Sequence, residues 1–297
     1  MVSGRDESDQ NGAWDIVSGV GITALAVAGA RAAETRREDR LIADPYAQHL
    51  FDAAPVPEGV SLQLVQDTSS ELMSVMAGYL GVRSRVFDDF FARAADNGVR
   101  QAVILASGLD TRAHRLDWPD GFRVFEIDQP KVLDFKESVL DELGVKPNCS
   151  WTPVAVDLRD DWETALRDAG FDQSVPTAWL AEGLLPYLPA RAQATLLSTV
   201  SALSAPGSQF AVEHLTGNQV EHVSPRLAEE AKNAGFDVTT LFNTETRADA
   251  GTTLAAEGWT VRRELVGDAS VSLSRDLAGI GEVFGDAGQF VVASRGR

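Results

Sequence analysis

Gly108 and Asp128 stand twenty positions apart, each closing a short apolar run. Glycine lets a ligand come close to the backbone, and a carboxylate at the second position can accept two hydroxyl hydrogen bonds at once. At this spacing an acid after a second strand reaches the ribose of a nucleoside held over a glycine turn after the first. Each residue also has an ordinary reading: Gly108 as a plain turn, Asp128 as a cap for a helix beginning near Pro130. The set carries more than its members. Ala106-Ser107-Gly108, Glu126-Ile127-Asp128, Asp157-Leu158 and Glu182-Gly183 follow four successive apolar runs. Ligands of an open parallel sheet bind outside the carboxyl ends of its strands, so this series predicts a nucleoside-type ligand.

A dinucleotide site wants G-x-G-x-x-G, with the pyrophosphate on a helix N-terminus. Residues 106–111 read A-S-G-L-D-T instead. Asp110 would repel a pyrophosphate. It suits a cofactor that is cationic nearby, such as the amino group or sulfonium of S-adenosyl-L-methionine. Ser107 and Asp110 therefore join Gly108 as cofactor-binding candidates. A second glycine pattern, Gly19-Val20-Gly21-Ile22-Thr23-Ala24, fits G-x-G-x-x-A, with Glu38 and Asp39 downstream. The charged, helical segment after it cannot be the strand that fingerprint requires, and it reads as a chance match.

These residues need a sheet to position them. From residue 100 onward short apolar runs alternate with amphipathic ones. Strands are predicted at Ala102–Ala106, Phe122–Ile127, Thr152–Val156, Ala178–Ala181, Gln209–Glu213, Thr260–Leu265 and Gln289–Ala293. Helices are predicted at 131–143, 160–169, 190–203 and along 224–256. This alternation implies an α/β fold with a mainly parallel seven-stranded sheet covered on both faces.

Residues 1–12 read as a disordered tail and 13–97 as helical. Met73, Met76, Ala77, Leu80, Val86, Phe87, Phe90 and Phe91 keep helical spacing. Asp44-Pro45 marks a helix start, and Pro55–Gly59 a break. No linker follows, so 13–97 reads as a cap packed on a catalytic domain at 98–297. The cap is the expected source of acceptor selectivity, although its Met and Phe face is better read as core than as pocket.

The formal net charge of −18 disfavours nucleic acid and anionic membranes as partners. Residues 16–30 imitate a signal segment, but Asp6, Glu7, Asp9 and Asp15 precede them. A secretory n-region is positive, so the run reads as a buried helix of a cytoplasmic protein. The single cysteine, Cys149, offers no disulfide and reads as a passive thiol. None of the four histidines has metal-ligand spacing, and the chain has neither a G-x-S-x-G elbow nor a Walker loop.

VILASGLDTRAHRL, FEIDQPKVLDFK, AVDLRDDW and AEGLLPYLP resemble, in order and spacing, successive motifs of the leucine carboxyl methyltransferase-like family. That family includes polyketide O-methyltransferases, and the likeness runs from about residue 14 to 295. The resemblance implies a class I methyltransferase fold, Rossmann-like, with an N-terminal helical cap, and S-adenosyl-L-methionine as cofactor. It implies that Gly108 floors the methionine part, Asp128 binds the ribose, and Asp157 with Leu158 holds the adenine. It also implies that Glu182 lines the cofactor near the methyl group. Arg83 resembles the arginine that pairs with the cofactor carboxylate, although Arg85 competes for that role from another side of the same helix.

One departure stands out. Much of the family has glycine where this chain has Ala106. A strand-like backbone there tolerates the methyl group, whereas a positive φ would weaken cofactor binding; survival of binding is the expectation. The acceptor is expected to be a small molecule. A carboxylate would need no general base at neutral pH, while a phenol or alcohol would call on His114, His214 or Tyr187. No catalytic side chain is assigned. The alternatives are a nicotinamide-dependent oxidoreductase on a similar sheet and a non-catalytic S-adenosyl-L-methionine-binding protein.

Overall fold

The computed structural model describes residues 20–55, 71–215, 245–277 and 288–296, with 229, 232 and 243 besides. The tail expected at 1–12, most of the break expected at 55–59 and most of the helical stretch expected before 250 lie outside these residues.

Seven strands form one sheet: β1 (Gln101–Leu105), β2 (Arg123–Asp128), β3 (Ser150–Ala155), β4 (Ala178–Ala181), β5 (Gln209–Leu215), β6 (Trp259–Leu265) and β7 (Gly288–Arg295). Their order is β3-β2-β1-β4-β5-β7-β6. The first five run parallel, and β7 lies antiparallel to both β5 and β6. The strand order reverses between β1 and β4, which is where a sheet of this kind opens a crevice. The register brings the carboxyl ends level, pairing Leu105 with Ile127 and Asp128 with Ala155. All seven strands fall within two residues or so of the expected spans.

The apolar runs of β1 and β4 are near-continuous because both faces are buried there. Val103 and Leu105 join one core with Trp162, Leu166, Leu196 and Leu254. These come from α6 (Trp162–Asp168), α7 (Ala190–Ala202) and α8 (Ala250–Ala256). Ala102 and Ile104 point the other way, into a core with Phe87, Phe90 and Phe91. Those phenylalanines belong to α3 (Glu71–Asp96), and α9 (Val266–Ser272) completes that face. The Phe residues of α3 are therefore core. Met76 packs against the same cluster, and the Met73 side chain lies outside the described ones.

Two further helices, α4 (Arg112–Arg115) and α5 (Pro130–Glu142), lead away from the ends of β1 and β2. At the N-terminus, α1 (Val20–Thr35) is the buried helix expected within 16–30, with Leu25 and Ala28 fully covered. A methyl group on Gly29 would stand 2.7 Å from the ring of Phe51, so this glycine admits the close approach of α2 (Ala47–Ala53). Asp44 accepts bonds from the N–H groups of Tyr46 and Ala47, both at 3.1 Å, and braces the turn that leads into α2. No helix among the described residues is long and apolar enough to cross a membrane.

Candidate functional site

A cavity of about 380 Å³ opens at the carboxyl ends of β1–β4, under α1 and α3. Its lining includes Arg83, Ser107, Gly108, Asp110, Asp128, Asp157, Leu158 and Glu182, all eight residues singled out in the sequence.

Asp128 ends β2. Its Oδ2 accepts from the Gly108 N–H at 2.6 Å and its Oδ1 from the Gln129 N–H at 2.7 Å. The twenty-residue spacing thus closes a direct bond between the two residues. Burial raises the Asp128 pKa, and the two N–H bonds work against that rise. Gly108 has φ +52°, and a methyl group there would meet the Ala24 side chain at 3.4 Å. Ser107 Oγ is buried and has no hydrogen-bond partner among the described residues.

At the end of β3, Asp157 is gripped by the Arg159 fork at 2.9 and 2.6 Å and touched by Gln129 Nε2 at 3.0 Å. The Arg159 bonds hold its carboxyl below the usual range. Between β1 and β4, Asp110 and Glu182 share Arg112, whose Nη1 lies 2.5 Å from Asp110 and 2.7 Å from Glu182. Arg83 Nε holds the other Glu182 oxygen at 2.8 Å. Burial alone would raise both acids; the neighbouring arginines outweigh it and keep them below their ordinary values.

Arg83 rather than Arg85 reaches the cavity. Arg85 turns outward to Asp89 at 2.8 Å and to the Leu41 carbonyl. Ala106 corrects the sequence reading. The strand stops at Leu105, and Ala106 takes φ +51°, the left-handed region where a Cβ is strained. The chain must turn there to bring Ser107 N onto the Ile127 carbonyl at 3.0 Å.

Several lining residues had no role in the sequence reading. Arg112 lay within the quoted motif, and its charge beside Asp110 was the only hint of it. Thr23, Ala24, Val27 and Arg31 come from α1. That segment overlaps the G-x-G-x-x-A pattern, yet from Val20 it is helix and not a strand followed by a turn. Of the three candidate bases only Tyr187 lines the cavity. His114 stacks edge-on against Trp151, with ring centres 5.0 Å apart. His214 faces Asp249 at 3.3 Å. Burial pushes the Cys149 thiol up to about 12, in keeping with a passive role.

The family model described as leucine carboxyl methyltransferase matches residues 24–201. The chain belongs to that family. A Saccharopolyspora erythraea relative is 54% identical over 285 residues, covering 96% of this chain and 99% of the relative. A Mycobacteroides abscessus relative is 49% identical over 263 residues, covering 87% and 84%. Both carry the name "Putative S-adenosyl-L-methionine-dependent methyltransferase". The solved structure of a DUF574 family protein from Streptomyces avermitilis aligns over 93% of this chain and 97% of its own, with TM-score 0.53 at 16% identity. At that identity the likeness speaks for the fold alone. Membership of the leucine carboxyl methyltransferase family leaves the nicotinamide alternative without support.

Proposed function

We propose that this S-adenosyl-L-methionine-dependent methyltransferase esterifies the carboxylate of a small-molecule acceptor. One observation carries the choice of acceptor. Among the described residues lining the cavity, each acid is already engaged: Asp110 and Glu182 by arginines, Asp157 by Arg159, and Asp128 by two backbone N–H groups. Tyr187 is held neutral, its pKa raised by burial. None of these groups is suited to take a proton from a phenol or alcohol at neutral pH. A carboxylate arrives already ionised, with a pKa of about 4.

The cavity suits the cofactor. Its volume falls within the roughly 300–1,000 Å³ of small-molecule sites. Ser107 Oγ is buried without a partner among the described residues, and Gly108 leaves room that a side chain would fill. In this reading Asp128 accepts the ribose hydroxyls, and Asp157 with Leu158 holds the adenine. Gly108 floors the methionine part, Arg83 meets its carboxylate, and Asp110 and Glu182 face its cationic end. S-adenosyl-L-methionine supplies the electrophilic methyl group. The protein aligns the acceptor oxygen for in-line attack.

Calorimetric titration with S-adenosyl-L-methionine and with NAD tests the cofactor; the first binds and the second does not. Asp128→Ala weakens the first by about 10- to 100-fold, the worth of hydrogen bonds to a charged group. A panel of carboxylic acids and phenols of similar shape tests the acceptor. Base-labile methyl esters are the expected products. Methylation confined to the phenols would overturn the carboxylate reading.

A further inference from the structure

Behind Arg83, away from the cavity, lies a carboxyl group that the proposed function leaves without a role. Glu213, near the end of β5, is 5% exposed. Its Oε2 accepts from the Gly183 N–H at 2.8 Å and from Arg83 Nη1 at 3.0 Å, and its Oε1 accepts from the Tyr79 hydroxyl. Arg83 and Tyr79 both project from α3, and Gly183 follows β4. Phe290, in register on β7, adds no charge. His214 next along the strand is engaged elsewhere, with Asp249.

Carboxylates outnumber guanidiniums around Arg83. Its guanidinium already serves two carboxylates, Glu182 at 2.8 Å and Glu213 at 3.0 Å. Arg112 has no charge to lend, because Asp88, Asp110 and Glu182 all lie on it within 2.7 Å. In the proposed reading the ligand's ammonium faces Asp110 and Glu182, so its carboxylate would be the third on the Arg83 guanidinium, a local buried excess of negative charge that is costly unless a proton removes it.

We propose that Glu213 is a positioning residue for Arg83, and that a proton from solvent enters its carboxyl group when the amino-acid part of the cofactor binds. The inference rests on the reading of Arg83 as the partner of the cofactor carboxylate. The proton neutralises Glu213, and its hold on Arg83 falls from an ion pair to a neutral hydrogen bond. The freed share of the guanidinium charge then meets the incoming carboxylate. Tyr79 and Gly183 N–H keep the Glu213 carboxyl in place throughout. The site is suited to such an exchange, because burial already pushes Glu213 up to about 7, against the pull of the Gly183 N–H bond.

The test is calorimetric binding of S-adenosylhomocysteine between about pH 6 and pH 8, beside 5′-methylthioadenosine, which lacks the amino-acid part. Wild-type affinity for S-adenosylhomocysteine falls about tenfold across this range beyond any fall seen in Glu213→Gln; tenfold is one proton per pH unit above the titration. The fall common to both proteins belongs to the ligand's own amine, near pH 8. Glu213→Asp retains the extra slope, and 5′-methylthioadenosine lacks it. Equal slopes in wild type and Glu213→Gln, or an equal slope with 5′-methylthioadenosine, would overturn the proposal.

Arg83→Met separates this from failure of the underlying reading. If Arg83 holds the carboxylate, the variant weakens S-adenosylhomocysteine and spares 5′-methylthioadenosine. Equal effects on both ligands sink the Arg83 role itself. Should Glu213→Gln not fold, titration of the wild type in buffers of differing ionisation enthalpy counts the proton directly. Uptake close to one near pH 7.5 with S-adenosylhomocysteine and none with 5′-methylthioadenosine supports the exchange. Equal uptake with the two ligands, or none with either, refutes it.

Discussion

Ala106 holds a left-handed backbone without being glycine, at φ +51°, directly beneath the crevice. An L-residue in that region costs about 1–2 kcal/mol. Glycine would remove the strain but add about 0.5–1 kcal/mol of freedom to the unfolded chain. Ala106→Gly is therefore expected to stabilise the protein by up to about 1 kcal/mol, roughly 2 °C in the unfolding midpoint. A lowered midpoint would mean that the packing of the Ala106 methyl against the sheet core outweighs its strain. The motif around this residue was legible in the sequence because glycine, acid and spacing are composition. Its φ was not, since the turn that fixes it depends on Ser107 reaching across to β2. The same limit explains Arg112. A lone arginine after an Asp-Thr pair says nothing of the acids, Asp88 and Glu182, that the fold brings to it from α3 and from just after β4.

The central strands β1 and β4 were readable because both sheet faces are buried there, whereas the edge strand β6, with Arg262 and Arg263 exposed, is no unbroken apolar run. Helix α9 was missed: VGDASVS carries a glycine and β-branched residues, and its packing through Val266 and Ala269 overrides weak propensity. His114 on α4 shows what such packing imposes. Its ring lies edge-on to Tyr46 and Trp151, and burial, with Lys136 adding to it, lowers its pKa from 6.5 to about 4. The folded value lies below the unfolded one, so the unfolded chain takes up the proton first as pH falls. The stability His114 confers is complete above about pH 6.5 and is lost between there and about pH 4, by up to about 3 kcal/mol. His114→Phe keeps the aromatic contacts and cannot titrate. Its unfolding midpoint is expected to change less than that of the wild type between pH 6.5 and 4.5. Parallel curves for the two proteins would remove His114 from the acid response.

At the scale of the molecule, the N-terminal helices and the sheet are joined by buried charge as well as by grease. Asp88 on α3 is forked by Arg115 at 2.7 and 2.8 Å and held by Arg112 at 2.7 Å, both from α4. Asp44, before α2, ties Arg31 of α1 to Thr111 after β1. The phenylalanines of α3 meanwhile fill one face of the sheet. We propose that α1–α3 form a cap that does not melt alone, because its removal would strand these arginines and bare that face. Calorimetric unfolding is accordingly expected as a single transition, and two resolved transitions would show the cap to be a separate unit. Asp88→Ala takes a carboxylate from two buried guanidiniums, a loss of about 3–5 kcal/mol. The midpoint should then fall by roughly 10 °C. The effect should also reach the crevice, because the same Arg112 holds Asp110 and Glu182. Asp88→Ala is expected to weaken S-adenosylhomocysteine binding although Asp88 does not line the cavity. Loss of stability with unchanged binding would mean that the network braces the fold without setting the site.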